Sequence, residues 1–374
     1  MPFLTCLLFV ALAWTTGMAR LWAEEPAGAP PILIGLLLPP EETEATSLGR
    51  GVQLGIDQAN QVPGAKFSLL VRGRVGQWGS DGEEAGRMVL DDHARGLIAP
   101  PGGAASHLAL QVAGRTATPV ISLCPDSSVV GAGIPWMVRI VPSTDDEARL
   151  LFSTFHTNPA GRTFRWGALV SIGRAGRETA RDLSQAGTAT RSPLDRPVEV
   201  SPKLQDFSEI TKQVLATRPD GILIWLEAKL AGRLAKSLRA AGFKGQFAGP
   251  SHFQSPIFTT NAGSAAEGFV LPSPVLDPVS QSVAARFAAV HRQQFGSEAD
   301  RITRMAYDAA VLLTDQLRKS GANPSRSDFP IMSEQPGASG RLKFDRNGNR
   351  LVSLELLQFR EGGFIRFASQ NAQP

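Results

Sequence analysis

Ile32-Leu33-Ile34-Gly35-Leu36-Leu37-Leu38 is an unbroken apolar run, and the pattern it opens decides the fold. After Pro39 and Pro40 comes an amphipathic stretch, Ser47 to Gln61, and then a second apolar run, Phe67 to Val71. Apolar runs that do not alternate with polar residues read as strands covered on both faces. A helix between two of them makes a βαβ unit in a parallel sheet.

The same rhythm continues through a helix at Asp81 to Ala94, strand Gly96 to Ile98, helix Ser106 to Thr116, and strands Pro119 to Leu123 and Trp136 to Val141. It restarts after Pro142: helix Thr144 to His156, strand Arg165 to Ile172, helix Arg177 to Gln185, strand Val198 to Val200, helix Phe207 to Arg218, strand Gly221 to Trp225 and helix Lys229 to Ala241. Beyond Phe269-Val270-Leu271, two long amphipathic helices, Pro278 to Phe295 and Asp300 to Lys319, precede a hairpin turn at Asp345-Arg346-Asn347-Gly348-Asn349 and two terminal strands. The fold class expected is α/β, with two doubly wound parallel-sheet lobes.

Composition sets the outer bounds. A chain of 374 residues, 43% hydrophobic and 19% charged, can bury the cores of two ordinary domains. Its net charge of +4 comes mainly from scattered arginines. No basic run is interleaved with aromatics as a nucleic-acid grip would need, so the charge reads as a solvated basic surface. Residues 1–23 read as a secretory signal peptide, with an apolar run from Phe3 to Trp14 and cleavage after Ala19 or Ala23, although no Lys or Arg precedes that run. Cys6 stands too early for a lipoprotein cleavage site, and no later segment supplies the roughly 20 apolar residues of a spanning helix. The expected location is the periplasm. Cleavage would leave Cys124 as the sole cysteine, so no internal disulfide is expected.

Several segments together carry a family resemblance. They are Ile34-Gly35-Leu36-Leu37-Leu38-Pro39, Gly49-Arg50-Gly51-Val52-Gln53-Leu54-Gly55-Ile56-Asp57-Gln58-Ala59-Asn60, Pro119-Val120-Ile121-Ser122, Arg139-Ile140-Val141-Pro142-Ser143, Lys236-Ser237-Leu238-Arg239-Ala240-Ala241-Gly242-Phe243 and Ala265-Ala266-Glu267-Gly268-Phe269. In this order and spacing the chain resembles the branched-chain amino acid binding proteins, the leucine/isoleucine/valine-binding class of type I periplasmic binding proteins. The resemblance implies two lobes joined by a three-crossing hinge, with crossings near Pro142, Pro272 and Pro336-Gly337. The first lobe would take 31–141 and 273–336, and the second 142–272 and 337–367. It also implies a monomer without cofactor that closes on a small polar ligand, such as an amino acid or amide, and hands it to an ABC permease in the inner membrane.

That family holds an amino acid by its carboxylate, on first-lobe hydroxyls and backbone N–H groups, and by its ammonium, on a second-lobe acid and aromatics. The matching positions here differ. Gly103 stands where a hydroxyl is expected, beside Ala104 in a Gly-rich loop that suits an anion or an ordinary turn capped by Ser106. Cys124 and then Asp126 occupy the next loop, with Asp126 on a threonine position and Ser127 there if the alignment slips by one. Ser251 replaces the ammonium-binding acid, and Glu227 falls where an aromatic is expected, so the acid has moved to Glu227 or that residue is a solvated loop end. The candidate ligand-binding residues are therefore Gly103, Ala104, Cys124, Asp126, Ser127, Glu227 and Ser251.

Other features weigh less. The loop Gly173-Arg174-Ala175-Gly176-Arg177-Glu178 has the strand-to-helix setting of a phosphate cradle without the dinucleotide fingerprint. Tyr307, the only tyrosine, lies on an apolar helix stripe and reads as core, which leaves Trp78, Trp225, His252 and Phe253 as aromatic candidates. No histidine has metal-ligand spacing to a neighbour, and no metal is expected. A nucleophilic role for Cys124 lacks a recognisable base, so the chain is read as a binder and not an enzyme. A ligand sensor of the same fold, without transport, is the alternative.

Overall fold

The computed structural model describes residues 30–73, 80–131, 133–320 and 334–368. The segment read as a signal peptide, Cys6 and Trp78 lie outside the described residues.

The first lobe is built from β1 (Ile32–Leu38), α1 (Glu42–Gln61), β2 (Phe67–Gly73), α2 (Ser80–Leu90), β3 (Gly96–Ala99), α3 (Gly103–Thr116), β4 (Val120–Ser122), α4 (Ser128–Gly131) and β5 (Met137–Arg139). Its sheet has the order β2-β1-β3-β4-β5, and every pair is parallel. The long apolar run of β1 is thus central, and Ile34, Leu36 and Leu37 are fully buried. Helices cover both faces, as parallel sheets require.

The second lobe contains α5 (Thr144–Thr154), β6 (Trp166–Ser171), α6 (Gly173–Thr190), β7 (Val198–Val200), α7 (Ser208–Ala216), β8 (Gly221–Trp225), α8 (Ala228–Ala240), β9 (Gln246–Ala248), α9 (Pro256–Ala262) and β10 (Val270–Pro274). Strand β8 shows why its sequence is apolar throughout. Ile222 and Ile224 enter one core while Leu223 and Trp225 enter the core on the opposite face, because successive strand side chains alternate. Helix α6 starts earlier than its sequence suggests because Gly176 lets it lie on the end of β6. A Cβ there would sit 1.4 Å from the Ser171 carbonyl oxygen.

The chain then returns to the first lobe with α10 (Pro278–Phe295) and α11 (Arg301–Lys319). Helix α11 lies directly on α1, and Gly51 and Gly55 permit the approach. A Cβ on Gly51 would fall 2.2 Å from the Thr303 carbonyl oxygen, and one on Gly55 would fall 2.6 Å from Ala310 Cβ. Glycine at this four-residue spacing keeps one face of α1 bare.

The short β11 (Gln335–Gly337) and β12 (Gly340–Leu342) precede β13 (Leu354–Arg360) and β14 (Gly363–Arg366). The second sheet has the order β14-β13-β10-β9-β8-β6-β7. It is parallel from β7 to β10 and ends in an antiparallel hairpin, β13–β14, so this lobe is mixed where a parallel sheet was expected. A crossover helix is unnecessary there: Glu361 and Gly362, both at positive φ, turn the chain directly.

Segment 338–350, which follows Pro336-Gly337, packs on first-lobe elements. Ala338 and Leu342 are buried in first-lobe cores, and Phe344 packs beside Leu342. Arg350, only 2% exposed, bonds the Ile140 carbonyl oxygen at 2.8 Å and Ser339, while Asp308 accepts from the Ala338 and Ser339 amides at 2.7 Å each. Burial pushes the Asp308 carboxyl up, against the hydrogen bonds of Ser339 and the charge of Arg350. These bonds sew segment 338–350 to the first crossing, and the chain reaches the second sheet only at Leu354.

Candidate functional site

Two polar clusters lie where elements of the two sheets meet, and they differ in how far their bonds are satisfied.

The first joins the loops after β3 and β4 to helix α6. Four of the expected residues come together here. A Cβ on Gly103 would stand 2.9 Å from Glu178 Oε2, 3.8 Å from Cys124 Sγ and 3.9 Å from Asp126 Oδ2. A side chain at position 103 would make the Glu178 carboxylate shift. The Asp126 carboxylate is almost fully enclosed and accepts from His107 Nε2 at 3.1 Å, from Ser128 N and Oγ, and from Arg181 Nη2 at 2.8 Å. Burial alone would raise its pKa, but the bonds from His107, Ser128 and Arg181 outweigh it and hold the carboxyl well below the usual range. Ser127 donates its amide and its Oγ to Asp182, at 3.2 and 2.8 Å. Both the acid and the hydroxyl weighed for ligand contact are committed to α6. Ala104 lies half-buried in the first turn of α3.

Chemistry at this cluster is limited. Burial pushes the Cys124 thiol up to about 12, so it stays protonated and unreactive at neutral pH. His107 offers the same nitrogen, Nε2, to Ser128 Oγ and to Asp126. A relay would need one ring nitrogen on the nucleophile and the other on the acid. His107, Asp126 and Glu178 also bring one ligand atom each within 4.8 Å of one another, which sequence spacing does not show because three separate elements supply them. Arg181 and Ser128 already occupy Asp126, and Arg174 holds Glu178 at 2.6 Å.

The second cluster lies at the hinge. Glu147, in the first turn of α5, is buried and accepts from the Ser251 amide at 3.1 Å and from the Ser251 hydroxyl. Burial raises its pKa, and the charge of Arg301, 3.8 Å away, opposes that. Arg301 opens α11 behind its N-cap Asp300. Its Nε and Nη2 are buried and have no hydrogen-bond partner among the described residues. Arg301 and Arg304 line a cavity of about 360 Å³ together with Gln254, Ser273, Leu276 and Met305. Beside it, burial and then the charge of Arg301 lower His252 to about 4, so its ring is neutral.

The expected residues thus divide. Ser251 belongs to the hinge cluster, not to the group around Gly103. Glu227 belongs to neither: it is exposed, and its carboxylate caps α8 by accepting from Lys229 N and Leu230 N. The carboxylate that lies against Ser251 is Glu147, not Glu227. Trp225 and Phe253 are core residues, and Phe253 stacks on Phe258. Tyr307 packs against Phe287 and bonds Gln58. Sequence reading missed Glu147, Glu178, Arg181, Asp182, Arg301 and Arg304. Glu178 stands in the Gly173-to-Glu178 loop the sequence singles out, and Glu147 follows the capping box Ser143–Asp146 on the face of α5 that turns inward.

Known proteins share this architecture. A leucine-binding protein from Thermotoga maritima superposes with a TM-score of 0.76 at 20% identity, over 90% of this chain and 98% of that one. A branched-chain amino acid transporter substrate-binding protein from Streptococcus pneumoniae, in complex with isoleucine, gives 0.76 at 14% identity over 90% and 100%. An ABC transporter solute-binding protein from Rhodopseudomonas palustris, in complex with benzoate, gives 0.76 at 16% over 90% and 95%. Among curated proteins compared by sequence, none matches. The family model described as periplasmic binding protein matches residues 31–350. The chain belongs to the periplasmic binding protein family.

Proposed function

We propose that the chain is an exported solute-binding protein that closes its lobes on a small polar solute and presents it to an ABC permease. The observation that carries this reading is the contact between lobes: Asp126 meets Arg181 and Ser127 meets Asp182 across the cleft, using bonds that can form only when the lobes are together. The lobes are taken as 31–141 with α10, α11 and the segment to Arg350, and 142–272 with β13 and β14. Gly103, Ala104, Cys124, Asp126 and Ser127 form the first-lobe lip, and Ser251 belongs to the hinge cluster. Glu227 is left out, because capping occupies its carboxylate.

Binding-protein relatives support the reading, and so does Cys124, whose buried thiol is pushed up to about 12 and stays protonated. Mature protein starting at residue 24 would be screened against amino acids, amides and organic acids by thermal shift and small-angle scattering. A solute that raises Tm and shrinks the radius of gyration supports capture by closure, because a ligand that binds only the folded, closed form stabilises it by mass action. Binding without compaction counts against it. Co-purification with a permease and ATPase separates delivery from sensing.

A further inference from the structure

The cavity at the hinge has a chemistry of its own. It is bounded by α11 and the segment after β11 on one side and by β10 and β13 on the other, so its walls come from both lobes. About 360 Å³ is near the lower end of small-molecule pockets, roughly 300 Å³ and above. Two guanidinium groups, Arg301 and Arg304, stand in its wall, one helical turn apart on α11. Arg301 keeps Nε and Nη2 buried without a hydrogen bond, and Glu147, its nearest carboxylate, is 3.8 Å away and already bonded twice by Ser251. Burial lowers the pKa of both arginines, a sign that their charges are under-compensated. The only acid lining the cavity, Glu355, is held by Arg366 at 2.6 Å. Leu276, Met305 and Leu357 give the remaining wall an apolar surface.

We propose that this cavity binds a small organic carboxylate lacking an α-ammonium group, with the carboxylate on Arg301 and Arg304 and a short apolar body against Leu276, Met305 and Leu357. The geometry explains the departures from the amino-acid pattern. Glu147, the nearest carboxylate to Arg301, already faces that guanidinium and Ser251, so it offers an ammonium no free acid. An incoming ammonium would meet two arginines instead of a carboxylate. A carboxylate would bring a countercharge to a wall that carries two guanidinium groups, and charge-assisted bonds to a guanidinium are the strong kind.

This inference rests on the reading of the chain as a solute binder, and the test separates the two. Isothermal titration of the mature protein would compare 4-methylpentanoate, its neutral amide and leucine, and then benzoate with benzamide. The expected result is binding of the carboxylates, with the amides and leucine weaker by roughly tenfold or more. Arg304→Met, and the paired Arg301→Met with Glu147→Gln that leaves no lone buried charge, are expected to stay folded by circular dichroism and to lose roughly 10- to 100-fold in carboxylate affinity. Leucine or an amide binding as well as its carboxylate, or variants that keep full affinity, would overturn the inference while leaving a solute binder. Failure of every compound here to bind overturns the inference, and failure of the wider solute screen as well overturns the binder reading.

Discussion

The lobe-to-lobe contact and the hinge cavity are both rich in charge, yet they are finished differently. Around Asp126 and Asp182 each carboxylate has donors from its own lobe and from the opposite one. Around Arg301 the donors outnumber the acceptors. Buried polar groups that satisfy one another hold parts of a protein together, whereas an enclosed donor with no partner carries a cost that a partner removes. The first cluster therefore reads as a latch and the second as a receptor.

Breaking the hinge pair should have the largest effect. Arg301→Met leaves Glu147 buried without a countercharge and is expected to lower stability by about 3 kcal/mol in urea unfolding, with Glu147→Gln recovering most of the loss. If the single substitution proves neutral, the two charges are not coupled.

Acid should separate the regions next. His252 is held at about 4 against 6.5 in the unfolded chain, so between those values the unfolded state takes up a proton that the folded state refuses. Stability from this group is intact above pH 6.5 and falls as pH drops towards 4, by on the order of 3 kcal/mol at most. The Asp126 latch has the depressed carboxyl, so its contribution is present above the ordinary carboxylate range and is lost only below it. Burial raises the Glu44 carboxyl to about 7, which works in the opposite direction, so the His252 effect is read as a difference: from about pH 7 to 4 the Tm of His252→Phe should gain on that of the wild type, while Asp126→Asn should keep the wild-type slope.

A smaller effect is expected at the latch itself. Arg181→Met removes one partner of Asp126 from a half-exposed position and should cost about 1 kcal/mol or less. Its clearer sign is a larger radius of gyration in solution, and an unchanged radius would show that the bond does not hold the lobes. Smallest of all, Cys124 should resist iodoacetamide at about pH 8, followed by mass spectrometry, because its thiol is buried and pushed to about 12.

How much of the molecule is readable in sequence depends on range. Strand β8 and its neighbours announce themselves by apolar runs, because burial on both faces is a local composition signal. The β13–β14 hairpin is visible as two strands, but its antiparallel pairing depends on the two-residue turn at Glu361-Gly362. The Arg350 network is invisible in sequence because it joins residues 210 positions apart. The first-lobe loop positions at Gly103, Cys124, Asp126 and Ser127 stand out because the family pattern marks them. Their partners on α6 do not, since Glu178, Arg181 and Asp182 resemble any solvated helix face until the other lobe is set against it. Glu227 misleads for the opposite reason: a carboxylate at a strand end looks the same whether it meets a ligand or caps the next helix.

The most direct test of this division is a crystal structure of the mature protein with bound 4-methylpentanoate. The account predicts the carboxylate on Arg301 and Arg304, with the Asp126–Arg181 and Ser127–Asp182 bonds intact. A solute lodged between Gly103 and Glu178, with those bonds broken and the hinge arginines untouched, would contradict it.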